Sequence, residues 1–176
     1  MAGELHDHLT AIGARWLKKQ GFGVVATEIT VGGCREQPDV IGFRHNCSAV
    51  VEAKASRGDF LADFRKPERT QEGAGLGVYR FYICPEGLIK PEELPAKWGL
   101  LYVAGNRVIE VVRPSGNVWP AIGRTVPHFS AWLDFQHIPN LEAERSVLYS
   151  IARRQSKGMA VDRRRAITSS PKPTNP

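Results

Sequence analysis

Apolar residues recur along the chain with two different periods, and these periods predict its helices and strands. In residues 3–20, apolar side chains stand at positions 5, 9, 12 and 16, which is the stripe of an amphipathic helix. Shorter apolar stretches, rich in β-branched and aromatic residues, predict four strands. Those stretches are FGVVATEITV, DVIGF, SAVVEAK and VYRFYIC.

The helical period returns between the third and the fourth predicted strands. Ser56 and Asp59 have the spacing of a capping box, with Asp in place of the usual Glu. Apolar positions 60, 61 and 64 give this second helix a buried side. We expect the helix to run to about Arg65, because Pro67 would end it.

The rest of the pattern adds a hairpin and a helix. LLYVAGNRVIEVV predicts two strands that turn at Gly105-Asn106, and a last helix is expected over residues 140–157. The order of helix, three strands, helix and strand predicts an α/β fold. We expect an αβββαβ core, in which helices flank a central mixed sheet, with C-terminal additions to that core.

Length and composition predict one domain. The chain has 176 residues, of which 42% are hydrophobic, enough for one core but not for two of ordinary size. We expect a single domain over residues 1–157, with its core at about 4–104 and additions at 105–157, followed by a basic, disordered tail at 158–176. No apolar run approaches the roughly 20 residues of a membrane span, and the N-terminus lacks the pattern of a secretory signal. We therefore expect a cytoplasmic protein that binds no membrane.

Positive charge is concentrated near the C-terminus. The formal net charge is +6, but residues 1–144 hold 16 basic and 17 acidic residues, whereas residues 145–176 hold eight basic residues and one acid. A basic segment on a nearly neutral domain is typical of a protein that binds nucleic acid. A solubilising tail would have the same composition, so the charge alone leaves both interpretations open.

Three charged residues stand where the apolar pattern predicts buried strands. Glu52 and Lys54 are two positions apart on one strand, so their side chains share a face. Asp39 opens the preceding strand and can lie beside them if the two strands pair. Charged groups buried without partners are costly, so these three need one another, water or a cation.

The same residues have the chemistry of a metal centre. Two carboxylates, Asp39 and Glu52, with a backbone carbonyl, here that of Ala53, provide the oxygen ligands that Mg²⁺ or Mn²⁺ prefers. A bound cation of this kind activates water and neutralises phosphate charge, and Lys54 is placed to orient the water or to stabilise developing charge. This combination suits hydrolysis of a phosphodiester bond.

The motif resembles the signature of a known superfamily. Pro38-Asp39 and Glu52-Ala53-Lys54 match the two halves of the PD-(D/E)XK nuclease motif, and the predicted order of elements is similar to the core of that superfamily. More closely, VVEAKASRGDFLADFRK and GLIKPEELPAKWGLLYV resemble MmcB-like DNA-repair nucleases and related phage proteins. This resemblance covers about Glu4 to Val103. It implies metal ligation by Asp39 and Glu52 and a role in DNA repair or phage DNA metabolism.

Further residues are weaker candidates, each with an ordinary structural alternative. The resemblance implies that a carboxylate of the first helix, here Glu4, can join the metal ligands, although an acid in a first turn also complements the helix dipole. Four basic side chains are candidate contacts to nucleic acid, or else ordinary structural or surface residues. They are His8, Arg57, Lys66 and Arg69.

Three other features suggest no separate site. Residues 73–77 are glycine-rich but precede a strand, which is the reverse of a phosphate-binding loop, so we expect a flexible loop that closes near the site. Three tryptophans, Trp98, Trp119 and Trp132, are expected in the core. The three cysteines lack paired CxxC spacing and are interpreted as reduced thiols.

The sequence therefore predicts a Mg²⁺- or Mn²⁺-dependent deoxyribonuclease that uses Asp39, Glu52 and Lys54, with a homodimer as one possible assembly. Two other classes remain open. One is a catalytically inactive nucleic-acid-binding module of the same fold. The other is a structural or interaction protein in which Lys54 merely pairs with Glu52.

Overall fold

Four α-helices and six β-strands form the part of the chain that the computed structural model describes, residues 2–32 and 34–159. The helices are α1 (Ala2–Lys19), α2 (Arg57–Asp63), α3 (Pro67–Thr70) and α4 (Leu141–Ser156). The strands are β1 (Val24–Thr27), β2 (Val40–Phe43), β3 (Ser48–Ala53), β4 (Tyr79–Pro85), β5 (Trp98–Ala104) and β6 (Arg107–Val112).

All six strands form one mixed sheet in the order β1-β2-β3-β4-β5-β6. Strands β1, β2 and β3 pair antiparallel, β4 and β5 continue in parallel to β3, and β6 returns antiparallel. Helices α2 and α3 lie in the connection from β3 to β4, as a parallel pair requires. The predicted α/β order and the mixed sheet flanked by helices are confirmed.

Helix α1 covers one face of the sheet. Its apolar stripe packs against Val40, Val51 and Phe81 of the central strands, and Trp119 and Trp132 from the long connection after β6 complete this core. The expectation that the tryptophans are buried is confirmed. The residues of α1 that form the stripe are Leu9, Ile12, Trp16 and Leu17.

The opposite face is covered by two groups of residues. Val147 and Ile151 of α4 pack on Ile41 and Val50, over the β1 to β3 half of the sheet. Phe60 of α2 packs with the large side chains of β4 and β5, which include a stacked pair of rings from Tyr82 and Trp98. The charged ends of β2 and β3 lie between these coverings.

One sequence-based boundary was wrong, and one short helix was not predicted. Strand β1 ends at Thr27 rather than continuing to Val31, because Glu28 has a left-handed backbone with φ of 47° and turns the chain into an irregular connection, described at residues 28–32 and 34–39. Pro67 starts the short helix α3 as well as following α2, because proline suits the first turn of a helix. The hairpin turn at Gly105-Asn106 is confirmed.

Among the described residues, no helix combines the length and the apolar character needed to cross a membrane. Most of the predicted basic tail, residues 160–176, lies outside the described residues.

Candidate metal centre

Asp39 and Glu52 lie opposite each other at the ends of β2 and β3. The antiparallel register pairs Val40 with Val51, which sets the next positions, 39 and 52, side by side. Oδ2 of Asp39 accepts a hydrogen bond of 2.8 Å from the backbone N–H of Ala53. This bond fixes the Asp39 carboxylate against the peptide that links Glu52 to Ala53.

Glu52 and Lys54 share one face of β3, as their spacing predicted. Nζ of Lys54 lies 3.5 Å from Oε2 of Glu52 and 3.1 Å from Oδ1 of Asp63. The side chains of Glu52 and Lys54 are each only 3% exposed. The strand therefore carries a buried ion pair at the position of the motif, as the structural alternative in the sequence analysis expected.

Arg69 of α3 joins this pair to a larger buried network. Its guanidinium donates to Oδ2 of Asp63 at 2.7 Å, forms an ion pair with Glu36, and lies 3.1 Å from Oε1 of Glu52. Lys66 adds an ion pair to Asp63 at 2.8 Å. Three acids (Glu36, Glu52 and Asp63) thus face three bases (Lys54, Lys66 and Arg69), so the network is balanced in charge.

Burial and neighbouring charges set the protonation of this network. Burial raises the pKa of Glu52, Arg69 opposes that rise, and the nearby charge of Asp39 reinforces it. Burial would also raise the pKa of Asp63, but the hydrogen bond and charge of Arg69 outweigh it and hold that pKa well below its usual range. Asp63 is therefore the firmly ionised acid of the network.

One oxygen of Glu52 lacks a hydrogen bond. Oε1 lies within ion-pair distance of Arg69, but the geometry is unsuitable for a hydrogen bond, and no other donor of the described residues reaches this buried atom. Buried polar atoms are normally hydrogen-bonded. Oε1 of Glu52 and the carboxylate of Asp39 on the neighbouring strand therefore fit the donor set of a hard divalent cation.

His6 of α1 lies on the open side of Asp39. Its Nε2 atom is 3.2 Å from Oδ1 of Asp39, and this contact raises the pKa of the imidazole despite partial burial. The side chains of His6 and Asp39 are 27% and 18% exposed, in contrast to Glu52 and Lys54. One ligand atom each of His6, Asp7 and Glu28 also lie within 4.8 Å of one another, which makes a second set of potential metal ligands.

The other candidate residues lie farther from this centre or are already engaged. The ring of His8 contacts the carbonyl of Gly105 at the β5–β6 turn, at 3.2 Å. Glu4 is exposed one helical turn before His8, on the side of α1 that is turned away from His6. The structure therefore places His8 at the β5–β6 turn rather than beside Asp39, and Glu4 on the same side of α1 as His8.

The predicted basic contacts differ in exposure. Arg57 is at the surface and makes two hydrogen bonds to Glu93, of 2.7 and 2.6 Å. Lys66 is half exposed, whereas the side chain of Arg69 is 1% exposed at the centre of the network. Arg69 is thus a buried structural cation rather than part of a surface rim.

The glycine-rich loop at 73–77 is anchored rather than free to close. The N–H of Leu76 donates to Oε2 of Glu36 at 2.5 Å, and the N–H of Gly77 donates to Oε1 of Glu144 at 2.9 Å. The loop therefore supports the ion network from one side and α4 from the other. Both residues that accept these bonds are buried acids.

Sequence analysis did not identify His6, Glu36, Asp63 and Arg69 as a group around the motif. His6 is two residues from the candidate His8 and lies on the other side of α1. It could be identified only once the structure had shown that the start of β2, with Asp39, lies beside that side of the helix. Ser56 caps α2 as predicted, accepting a hydrogen bond from the N–H of Asp59. Asp63 follows the buried Phe60 by three residues and so lies on the buried side of α2, and this helical spacing is the signal that could have identified it.

No family model and no curated protein matches the chain. Among solved structures, the chain is similar to the protein SPO1766 of Silicibacter pomeroyi, which is described as a protein of unknown function. The two are 23% identical, with a TM-score of 0.51, and the match covers 89% of this chain and 96% of that one. At this sequence identity, the similarity supports the α/β fold but gives no information about activity.

Proposed function

We propose that the protein is a metal-dependent nuclease that hydrolyses DNA phosphodiester bonds, with Asp39 and Glu52 as metal ligands. The observation that carries this proposal is the pairing of these carboxylates on adjacent strand ends, with one buried oxygen of Glu52 left without a hydrogen bond. The choice of DNA, and a role in repair or phage DNA metabolism, rest on the resemblance of the motif. A cytoplasmic location is part of this proposal and rests on the sequence analysis alone.

Each residue of the motif has a definite task in this proposal. The N–H of Ala53 holds the Asp39 carboxylate toward Glu52, and the carbonyl of Ala53 is the expected third oxygen ligand. A bound Mg²⁺ or Mn²⁺ would lower the pKa of a coordinated water and neutralise charge on the phosphate. Lys54, 3.5 Å from Glu52, would orient that water and stabilise negative charge as it develops.

Exposure decides the direction from which a substrate would approach. Glu52 and Lys54 are covered by α2 and α3, whereas Asp39 and His6 are partly exposed. A phosphate group would therefore reach the centre past Asp39 and His6. Asp63 and Arg69 lie behind it and would position Lys54 and Glu52 without touching the substrate.

The test is a cleavage assay on single-stranded, duplex, nicked and branched DNA with Mg²⁺ or Mn²⁺. Wild type is compared with Asp39→Ala and Lys54→Ala, and with Asp134→Ala and Lys18→Ala as controls, since both control residues are exposed. Cleavage by wild type and by both controls, lost in both site variants, is the expected result. Cleavage that survives in Asp39→Ala would refute the proposed metal site.

A nucleic-acid-binding module without catalysis is the second candidate. It is favoured by the closed state of the ion network, in which Glu52 and Lys54 already have the charged partners Arg69 and Asp63. In that case, wild type and Asp39→Ala would bind DNA equally well, and neither would cleave it. Such a result would refute the proposed nuclease activity and support a DNA-binding role for the same fold.

A further inference from the structure

Three long side chains form one stripe along the outer side of α4. Arg145, Tyr149 and Arg153 are spaced four residues apart, so they lie one above another on the helix. The helix buries a different side, formed by Val147 and Ile151, against the sheet. The stripe is therefore left to the surface.

This stripe borders a groove. Ser146 and Ser150 form its floor on the helix, and the turn at Val31-Gly32, in the loop after β1, forms the opposite wall. The groove has a volume of about 520 Å³, within the range of sites that hold small ligands or single groups of larger ones. Both arginines and Tyr149 line it.

The chemistry of the stripe is unusual for a merely solvated helix. Tyr149 is 68% exposed, the largest exposed fraction among the bulky apolar and aromatic side chains of the described residues. Residues 145–159 contain four basic residues and no acid, on a domain whose first 144 residues are nearly neutral. A helix face that only keeps the protein in solution requires charged side chains but no exposed aromatic ring. A face that binds single-stranded nucleic acid uses both, because cations bind the phosphates and the ring stacks on a base.

The groove and the candidate metal centre share the connection from β1 to β2. Nη2 of Arg154 donates to the carbonyl of Thr30 at 3.3 Å, which fixes the end of α4 to the loop after β1. Two residues earlier in that loop, the N–H of Glu28 donates to the carbonyl of Asp39 at 3.0 Å. The connection from β1 to β2 thus supplies Val31 and Gly32 to the wall of the groove and, at its other end, Asp39 as the first candidate ligand.

We propose that this groove binds single-stranded nucleic acid, with a base stacked on Tyr149 and the flanking phosphates held by Arg145 and Arg153. The two arginines are about 12 Å apart along the helix axis, roughly the length of three to four stacked nucleotides. The proposal deepens the nuclease function and rests on it for the role of the strand as substrate. Binding itself needs no metal and no cleavage.

The test is fluorescence anisotropy of a labelled 12-nucleotide thymidine oligomer with the full chain in EDTA. Tyr149→Ala should weaken binding about 10-fold, because one stacking contact is lost, and Tyr149→Phe should retain it. Arg145→Ala with Arg153→Ala should weaken binding further and reduce the slope of log affinity against log salt by about 1.4. Equal binding by wild type and Tyr149→Ala would overturn the proposal.

Two controls separate this groove from other sources of binding. Exchange of Arg163, Arg164 and Arg165 for alanine removes three charges from the C-terminal segment and leaves unchanged the residues that line the groove in the described part of the chain. Binding lost in this triple variant, but unchanged in the groove variants, would also overturn the proposal. Leu148→Ala, a change on the same helix outside the groove, should bind as wild type does.

The cleavage and binding assays distinguish a failure of the nuclease proposal from a failure of the groove proposal. If wild type never cleaves DNA but Tyr149→Ala loses binding, the groove is supported and the enzyme is not. If wild type cleaves and Tyr149→Ala binds and cleaves as well as wild type, the nuclease stands and the groove is refuted. Asp39→Ala should bind the oligomer normally in EDTA in either case.

Discussion

Nζ of Lys54 lies closer to Asp63 than to Glu52, at 3.1 Å against 3.5 Å. The lysine of the motif is therefore held by an acid from α2, outside the motif, as much as by its neighbour on β3. Asp63 also accepts a hydrogen bond of 2.8 Å from the hydroxyl of Tyr82. A candidate catalytic ammonium is thus positioned by a helix that follows the strand.

Asp63→Asn should destabilise the protein by about 3 kcal/mol at pH 7, because Arg69 and Lys54 would lose a buried ionised partner. Urea denaturation measures this free energy of unfolding. Asp134→Asn, an exposed acid, is the control and should change it by less than about 0.5 kcal/mol.

The effect of Asp63→Asn should also depend on pH. The folded-state pKa of Asp63 is lowered, so its contribution to stability is complete above the unfolded value of about 3.9 and is lost as pH falls through the folded value. The difference between wild type and variant should stay constant from pH 5 to 7 and shrink below about pH 4. A difference that grows on acidification would contradict the assignment of Asp63 as the ionised acid.

Arg69→Met should be among the most destabilising single changes in the chain. It leaves Glu36, Glu52 and Asp63 buried with one cation fewer, which costs about 3–5 kcal/mol for a broken buried pair. Arg65→Met, on an exposed position in the preceding turn, is the matched control. Similar melting temperatures for the two variants would show that the network contributes little.

Divalent cations should stabilise the protein through the carboxylates of the motif. A cation that binds only the folded state at 100 times its Kd adds about 2.7 kcal/mol. In differential scanning fluorimetry, millimolar Mg²⁺ should raise the melting temperature of wild type and of Lys54→Met. It should not raise the melting temperature of Glu52→Gln. A rise that persists in Glu52→Gln would place the cation elsewhere.

His6 and His8 of α1 allow a controlled test of whether an imidazole contributes to the choice of metal ion. An imidazole ligand favours transition-metal ions over Mg²⁺, and His6, unlike His8, contacts Asp39. His6→Ala should therefore reduce the thermal stabilisation by Mn²⁺ more than that by Mg²⁺. His8→Ala should leave both responses as in wild type. Equal losses in the two variants would exclude a direct role for His6.

The sequence predicted the parts of the site that depend on local periodicity. Alternation along β3 places Glu52 and Lys54 on one face, and strand pairing brings Asp39 opposite. The partners of Arg69 could not be predicted in this way, because Glu36 stands in an irregular loop 33 residues earlier in the chain. Pro67 also obscured α3, since proline both ends helices and begins them.

The shape of the first strand was missed for a related reason. FGVVATEITV is rich in apolar and β-branched residues, yet only four of its residues pair with β2. Ile29, beyond the strand, is buried in the apolar cluster between the sheet and α4. Apolar residues of a loop that packs under a helix follow the same pattern as a strand, so periodicity alone cannot separate the two.

The gathering of three acids around Arg69 restricts how this fold can change during evolution. A descendant that replaced Arg69 but kept all three acids would bury unpaired carboxylates, so one change would need others to accompany it. We therefore expect the arginine and its acids to be inherited or lost as a group. Covariation among positions 36, 52, 63 and 69 would then identify the lineages that keep the centre.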